Sequence, residues 1–368
     1  MAVNQGLSHL SDHFLMVTLV LYFLAVLAFA ADFAFGRRPV ATPAEAAVPE
    51  LVTAGAAGGA AAGQAQASAA GASTGKASAG KASAGKVGTG KVGTGKAGAG
   101  TGGPGASIRP SLRDASFWVR AGLGLTVLGV LAHIIGVIIR GLAVHRVPWG
   151  DMYEFVIAVT CVAVLFFLGL MIRYRPFRLG LFFMAPIVII IGLAQTVIYT
   201  PAGPLVPALN SYWLAIHVTA ITLATGTYVV AAVLAVVFLL ADRNARRAAA
   251  RLPVRNAEVF RLLPSPERLD QFAYRTVVFA FPLWTFGIMA GAIWADEAWG
   301  RYWGWDPTET WAFITWVVYA CFLHARVTAG WRGRRAAYIQ LVGFACLLFN
   351  LLGVSLFISG LHSYAGLS

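Results

Sequence analysis

The chain has 368 residues, of which 58% are apolar and only 12% charged, with a net charge of +13 and three cysteines. Apolar runs of 18 to 25 residues recur along it, each long enough to cross roughly 30 Å of hydrocarbon. The expected fold is therefore an all-α polytopic membrane protein. Cys161, Cys321 and Cys346 all fall in apolar spans with no CxxC pair, which argues against thiol exchange, a chemistry that needs two neighbouring sulfurs.

Eight spans are expected, at about 14–35, 117–139, 151–172, 179–199, 211–241, 272–294, 311–329 and 337–359. The first lacks the short apolar core and small-residue cleavage site of a signal peptide, and reads as a retained anchor. After it the composition changes: residues 41–107 are mostly Ala, Gly, Ser, Thr and Lys, with the five-residue repeat KASAGKASAGKVGTGKVGTGKAGAG. So few bulky apolar groups cannot offset the entropy of ordering. The organisation expected is a first transmembrane helix over 1–36, a disordered linker over 37–115 and a seven-helix core over 116–368. The linker lysines, Lys76, Lys81, Lys86, Lys91 and Lys96, are suited to a tether on anionic headgroups or a partner.

Lys and Arg favour cytoplasmic loops. When alternate loops are assigned to opposite sides, 25 of the 28 basic residues fall in 36–120, 173–178, 242–275 and 326–335, and only Arg140, Arg146 and Arg301 fall opposite. Both termini and the loop before the seventh span are expected on the outer face of the cell membrane, with the linker cytoplasmic. Topology and inner-leaflet lipid account for the positive charge, and no nucleic-acid partner is implied.

That outer loop reads WGRYWGWDPTETW, residues 299–311. Part of it has a local reading: Asp306 suits the N-cap of the seventh span, Pro307 the first helical position and Glu309 the third, a capping box. An interfacial aromatic belt accounts for any single tryptophan. It does not account for density, because six of the eleven tryptophans (294, 299, 303, 305, 311 and 316) lie within 23 residues, whereas a belt is shared among spans and both faces. A planar apolar ligand stacked on indole faces is the better reading.

Histidine placement narrows the ligand. His217 lies about two turns into the fifth span and His362 at the outer end of the eighth, so both reach the layer of the tryptophans. His324 lies thirteen residues past Trp311, roughly 20 Å deeper at 1.5 Å per residue, and His133 is in the middle of the second span. Taken singly, each reads as a hydrogen-bonded packing residue. Two imidazoles converging on a tryptophan-lined pocket are instead natural axial ligands of a haem iron.

The stretch WGRYWGWDPTETWAFITWVVYACFLHAR resembles the tryptophan-rich WWD domain of haem-handling proteins, and is most similar to the CcsA/ResC branch of system II cytochrome c biogenesis, called CcsB in some bacteria. HRVPWGDMYEFVIA (145–158), SYWLAIHV (211–218) and GLHSYAG (360–366) support it in the family's order. The resemblance covers roughly 117–368, with the WWD loop at 294–312, and does not extend to 37–115.

The resemblance implies that His217 and His362 are axial ligands of haem b on the outer face. Trp299, Tyr302, Trp303, Trp305, Asp306, Glu309 and Trp311 then form the surface against which haem rests. His324 would serve a second haem position inside the membrane, its other ligand supplied by a ResB-like membrane protein. The haem vinyls would receive the thiols of a CxxCH apocytochrome c, kept reduced by thiol-reducing proteins. Holocytochrome c synthase activity of the haem-lyase type is expected only together with the partner, and no catalytic base stands out. Asp306 and Glu309 remain open between cap and haem neighbour, since carboxylates repel propionates. Two rival classes are a b-type cytochrome electron-transfer subunit and a membrane transporter or ligase with a carboxylate site.

Overall fold

The computed structural model describes residues 3–36, 115–203, 211–254, 257–358 and 360–362. The linker, apart from Ala115, lies outside them, as do its repeat lysines. Among the described residues there is no strand, and eight helices are long and apolar enough to cross a membrane.

The long helices are α1 (Gln5–Phe35), α2 (Phe117–Val144), α3 (Met152–Tyr174), α4 (Gly180–Thr196), α5 (Tyr212–Ala249), α7 (Pro266–Trp299), α8 (Pro307–Val327) and α9 (Arg334–Leu348). A 3-10 turn, Phe177–Leu179, leads into α4, and the short α6 (Ala257–Arg261) precedes α7. Beyond α9 the last span runs through a π-helical segment, Phe349–Val354, into the three-residue α10 (Ser355–Phe357).

Several helices outrun the apolar stretches that announce them. α1 starts at Gln5 rather than near residue 14 because Asn4 caps it, its side chain accepting the Leu7 N–H at 3.1 Å. α5 continues past the apolar run into DRNARRAA, where good helix formers and an Asp242–Arg246 ion pair at 2.9 Å carry it on. α7 starts with Pro266 in its first turn and stops at Gly300, whose φ of +70° only glycine adopts freely.

α1 packs most extensively on α2, and α5 on α7; α3 and α4 fill in between, and α8 lies against α9. One core joins α1 to α5 through residues such as Phe167 and Phe183, whose rings stack 4.0 Å apart. A second joins α5, α7, α8 and the last span around Tyr228, Trp284, Tyr319 and Phe322. The three cysteines, all in apolar runs that suit small buried side chains, differ: Cys161 is buried and Cys346 half-buried, but Cys321 is exposed on α8. Its position in the helix turns it away from the bundle, which an apolar run alone does not specify.

A charge network fixes one end of the bundle. Arg140 and Glu154 are both fully buried and paired at 3.1 Å. Arg140 also meets Asp12 at 3.4 Å and the Thr200 carbonyl at 2.5 Å, and its guanidinium lies 4.7 Å from the centre of the Tyr153 ring. Arg146 pairs with Glu154 at 2.8 Å and donates to the Gly203 carbonyl at 3.3 Å. Buried charges persist only when paired and hydrogen-bonded. The network therefore binds α1, α2, α3 and the segment after α4 into one frame, and two of the three arginines that stand apart from the basic loops are its cations.

Candidate functional site

Against that frame lies a cavity with about 1120 Å³ of non-protein space, mouth included. One wall is Trp149, Gly150, Asp151, Met152 and Phe155 at the start of α3; another is His217, Val218 and Ile221 of α5. α7 supplies Trp284, Ile288, Gly291, Trp294 and Trp299, the loop after it Tyr302 and Trp303, and α8 Thr308, Glu309 and Ala312. The last span closes it with Asn350, Leu351, Ser355 and, beyond its end, His362.

Trp294, 1% exposed, lies at the centre. The His217 ring is nearly parallel to it, with centroids 6.1 Å apart and planes at 13°. His362 meets the same indole edge-on at 6.1 Å and Trp299 at 5.0 Å. Two histidines 145 positions apart are thus brought against one tryptophan.

Both imidazoles are oriented through the same nitrogen. His217 Nδ1 donates to the Gly287 carbonyl at 2.8 Å. The ring fits because residue 291 is glycine; a Cβ there would lie 2.7 Å from Nδ1 and Cε1. His362 Nδ1 lies 2.8 Å from Asp306 Oδ2. An imidazole whose Nδ1–H is tied to a carbonyl or carboxylate is in the tautomer that coordinates metal through Nε2, the arrangement common behind metal-bound histidines. The residues present therefore fit bis-imidazole ligation of an iron carried in by a planar ligand.

Asp306 is a helix cap and more. With Glu309 it forms the capping box of α8 that its sequence suggests, Oδ2 accepting from Thr308 N–H at 3.3 Å and Glu309 Oε2 accepting from Asp306 N–H at 3.1 Å. It also accepts from Leu361 N–H at 2.8 Å and from His362. Burial pushes its pKa up, but the His362 and Leu361 hydrogen bonds and the charge of His362 outweigh this and hold the carboxyl below its usual range. Glu309 is 8% exposed; it accepts from Gly304 N–H at 2.8 Å and faces Arg301 at 3.5 Å, folding the loop back onto α8.

The loop's aromatic residues divide. Trp299, Tyr302 and Trp303 line the cavity, with Tyr302 60% exposed at its mouth. Trp305 is 66% exposed, edge-on to Trp303 at 5.7 Å, and its φ of +58° is an uncommon conformation for an aromatic residue. Trp311 packs on Phe349 at 4.3 Å, against the π-helical segment. His324 is apart from all of these, exposed near the far end of α8. The continuous helix from Pro307 to Val327 keeps it roughly 20 Å from Trp311.

Sequence reading assigned no role to Trp149, Asp151, Trp284 or Asn350. Asp151 caps α3 by accepting Glu154 N–H at 2.7 Å; burial, and then the Glu154 charge, push its pKa up to about 6 against the pull of Arg140 and Arg146. Asn350 is 4% exposed and its Oδ1 has no hydrogen-bond partner. A lone amide in the apolar run LLFNLLGV is a signal the sequence does carry.

The cytochrome c assembly protein family matches residues 149–362, which contain both histidines and the whole cavity lining. The chain is 38% identical over 269 residues to the cytochrome c biogenesis protein CcsA of Guillardia theta, covering 67% of this chain and 86% of that one. The CcsA proteins of Mesostigma viride (36% identity, 61% of this chain, 80% of the relative) and Synechococcus elongatus (41%, 44% and 61%) are similar to it as well. Among solved structures, the cytochrome c heme lyase CcmF superposes with a TM-score of 0.47 at 19% identity, covering 65% of this chain and 42% of that one, too distant to carry an argument. With more than half its length matched by the family model and CcsA proteins among its relatives, the chain belongs to the cytochrome c assembly protein family, in its CcsA/ResC branch.

Proposed function

We propose that this chain is the haem-handling subunit of a system II cytochrome c synthase. It receives haem b as substrate, holds it at the outer face of the membrane between His217 and His362, and presents its vinyl groups to the CxxCH thiols of an apocytochrome c. The carrying observation is the convergence of these two histidines on Trp294, each with Nδ1 engaged by an oxygen acceptor.

The chain's own contribution is binding and orientation. Gly287 and Asp306 fix the two imidazoles, and Trp294, Trp299 and Trp303 offer rigid faces to a macrocycle. The cavity walls exclude water from its apolar edge. Each thioether forms as a thiol S–H adds across a vinyl C=C, so holding both in attack geometry is the main catalytic requirement. Replacement of one imidazole by the histidine of CxxCH would release the product. His324, exposed near the opposite end of α8, would share a deeper haem with a ResB-like partner, and thiol-reducing proteins would keep the apocytochrome reduced.

The test is an absorption spectrum of the purified protein with and without a co-expressed ResB-like protein. A six-coordinate low-spin haem in the wild type, lost or converted to five-coordinate in His217→Ala and in His362→Ala, is the expected result. A spectrum without haem favours the carboxylate-site transporter or ligase. Reversible redox titration with unchanged spectra in both variants favours a b-type cytochrome.

A further inference from the structure

A second cavity opens at the other end of the bundle. α3 and α7 touch both cavities, the first at Met152 and Trp294 and the second at Tyr174 and Phe272, so the two lie at opposite ends of the same helices. The second holds about 2030 Å³ of non-protein space, mouth included. Part of its lining is an ordered polar group: Asp32, 3% exposed, pairs with Arg178 at 3.4 Å and accepts from the Ser116 hydroxyl.

Among the described lining residues Asp32 is the acidic one, and it pairs with Arg178. Arg120, Arg175 and Arg268 line the same space, so the described lining carries four arginines to one carboxylate. Like charges gathered around one cavity repel one another, and an anion between them removes that repulsion. Guanidinium groups match a phosphate in charge and geometry. Arg175 stands at the cavity because it closes α3 as a left-handed C-cap, its N–H bonded to the Met171 carbonyl.

The remaining lining is aromatic and apolar, including Phe35, Trp118, Phe177 and Phe272. Phe35, at the end of α1, is 76% exposed and Trp118, at the start of α2, 37%. No His, Cys or Met is among the described lining residues, so nothing there would hold a macrocycle through its metal.

We propose that this cavity binds an anionic phospholipid, its phosphate between Arg120, Arg175 and Arg268 and its acyl chains along the aromatic wall. The shared chemistry with free phosphate lies in the head; the aromatic wall adds the need for chains.

The experiment uses the full chain in nanodiscs of phosphatidylcholine alone or with phosphatidylglycerol, transferred to detergent, with retained lipid counted by native mass spectrometry. Selective retention of phosphatidylglycerol is expected. Arg120→Gln combined with Arg268→Gln should lower it about tenfold. Arg332→Gln combined with Arg335→Gln, at the start of α9 and outside the cavity, should leave it unchanged. Both double variants spare the Asp32–Arg178 pair, and equal thermal midpoints would show that they fold; Arg175→Gln probes the same site if the first double variant does not accumulate. Equal loss in the two double variants, or equal retention of both lipids, overturns the proposal. So does full displacement of the lipid by millimolar inorganic phosphate, which would assign the site to a free anion.

Discussion

Asp306 and His362, 56 positions apart in sequence, lie 2.8 Å apart from Oδ2 to Nδ1, so one carboxylate both starts α8 and orients the imidazole beyond the last span.

Two substitutions separate these roles. Asp306→Asn keeps a capping oxygen and should preserve accumulation and thermal stability, yet it removes the charge facing His362. The low-spin fraction of bound haem should fall while protein level holds. Asp306→Leu removes both functions, costing about 1 kcal/mol from the cap alone. A spectrum of Asp306→Asn identical to wild type would reduce Asp306 to a cap.

His324→Ala should leave the outer spectrum unchanged in shape and reduce its amplitude. The residue is exposed on α8 and remote from the cavity, so its loss should spare outer ligation and, under the proposed role in delivery, lower only the amount of haem that arrives. The comparison is Soret absorbance per mole of complex, followed by addition of external haem. Restoration to the wild-type spectrum by external haem is expected.

Asp151 carries a pH signature. Its pKa, raised to about 6 by burial and by Glu154, means that the folded protein holds this proton more tightly than the unfolded chain does. The penalty on stability is absent below the ordinary carboxylate range, grows as pH rises through about 6, and is complete above it. Asp151→Asn can still cap α3. Its thermal midpoint in detergent should exceed that of wild type above about pH 7 and converge with it toward about pH 4. A gap that does not change with pH would contradict this assignment.

The Arg140–Glu154 pair should be intolerant of half-removal. Glu154→Gln leaves the buried guanidinium with Asp12 alone as a carboxylate partner, and loss of one member of such a pair costs roughly 3–5 kcal/mol. Reduced accumulation is expected, along with increased proteolysis near residues 145–151. Replacing both members with apolar residues should recover part of the loss.

The eight spans were legible because hydrocarbon thickness dictates both length and composition, and the capping box because it is a four-residue relation. The approach of His217 to His362 followed from counting spans, which sets depth. Depth does not set azimuth, however. The contribution of Trp149, Trp284 and Asn350 to the cavity, the outward turn of Trp305 and the exposure of Cys321 depend on which face each helix gives its neighbours. The long polar extensions of α5 and α7 escaped the apolar pattern because they are sustained by helix propensity and ion pairs outside it.

The π-helical segment Phe349–Val354 acts as an inserted residue that resets the phase of the last span. Before it, Gly343 is phased to Tyr319, and its first residue, Phe349, meets Trp311; after it, the chain arrives at Asp306. Were the same residues to relax into uninterrupted α-helix, the residue that the π-turn absorbs would swing everything beyond it by about 100° around the axis. His362 would then be carried away from its carboxylate without any change to His362, Asp306 or the tryptophans.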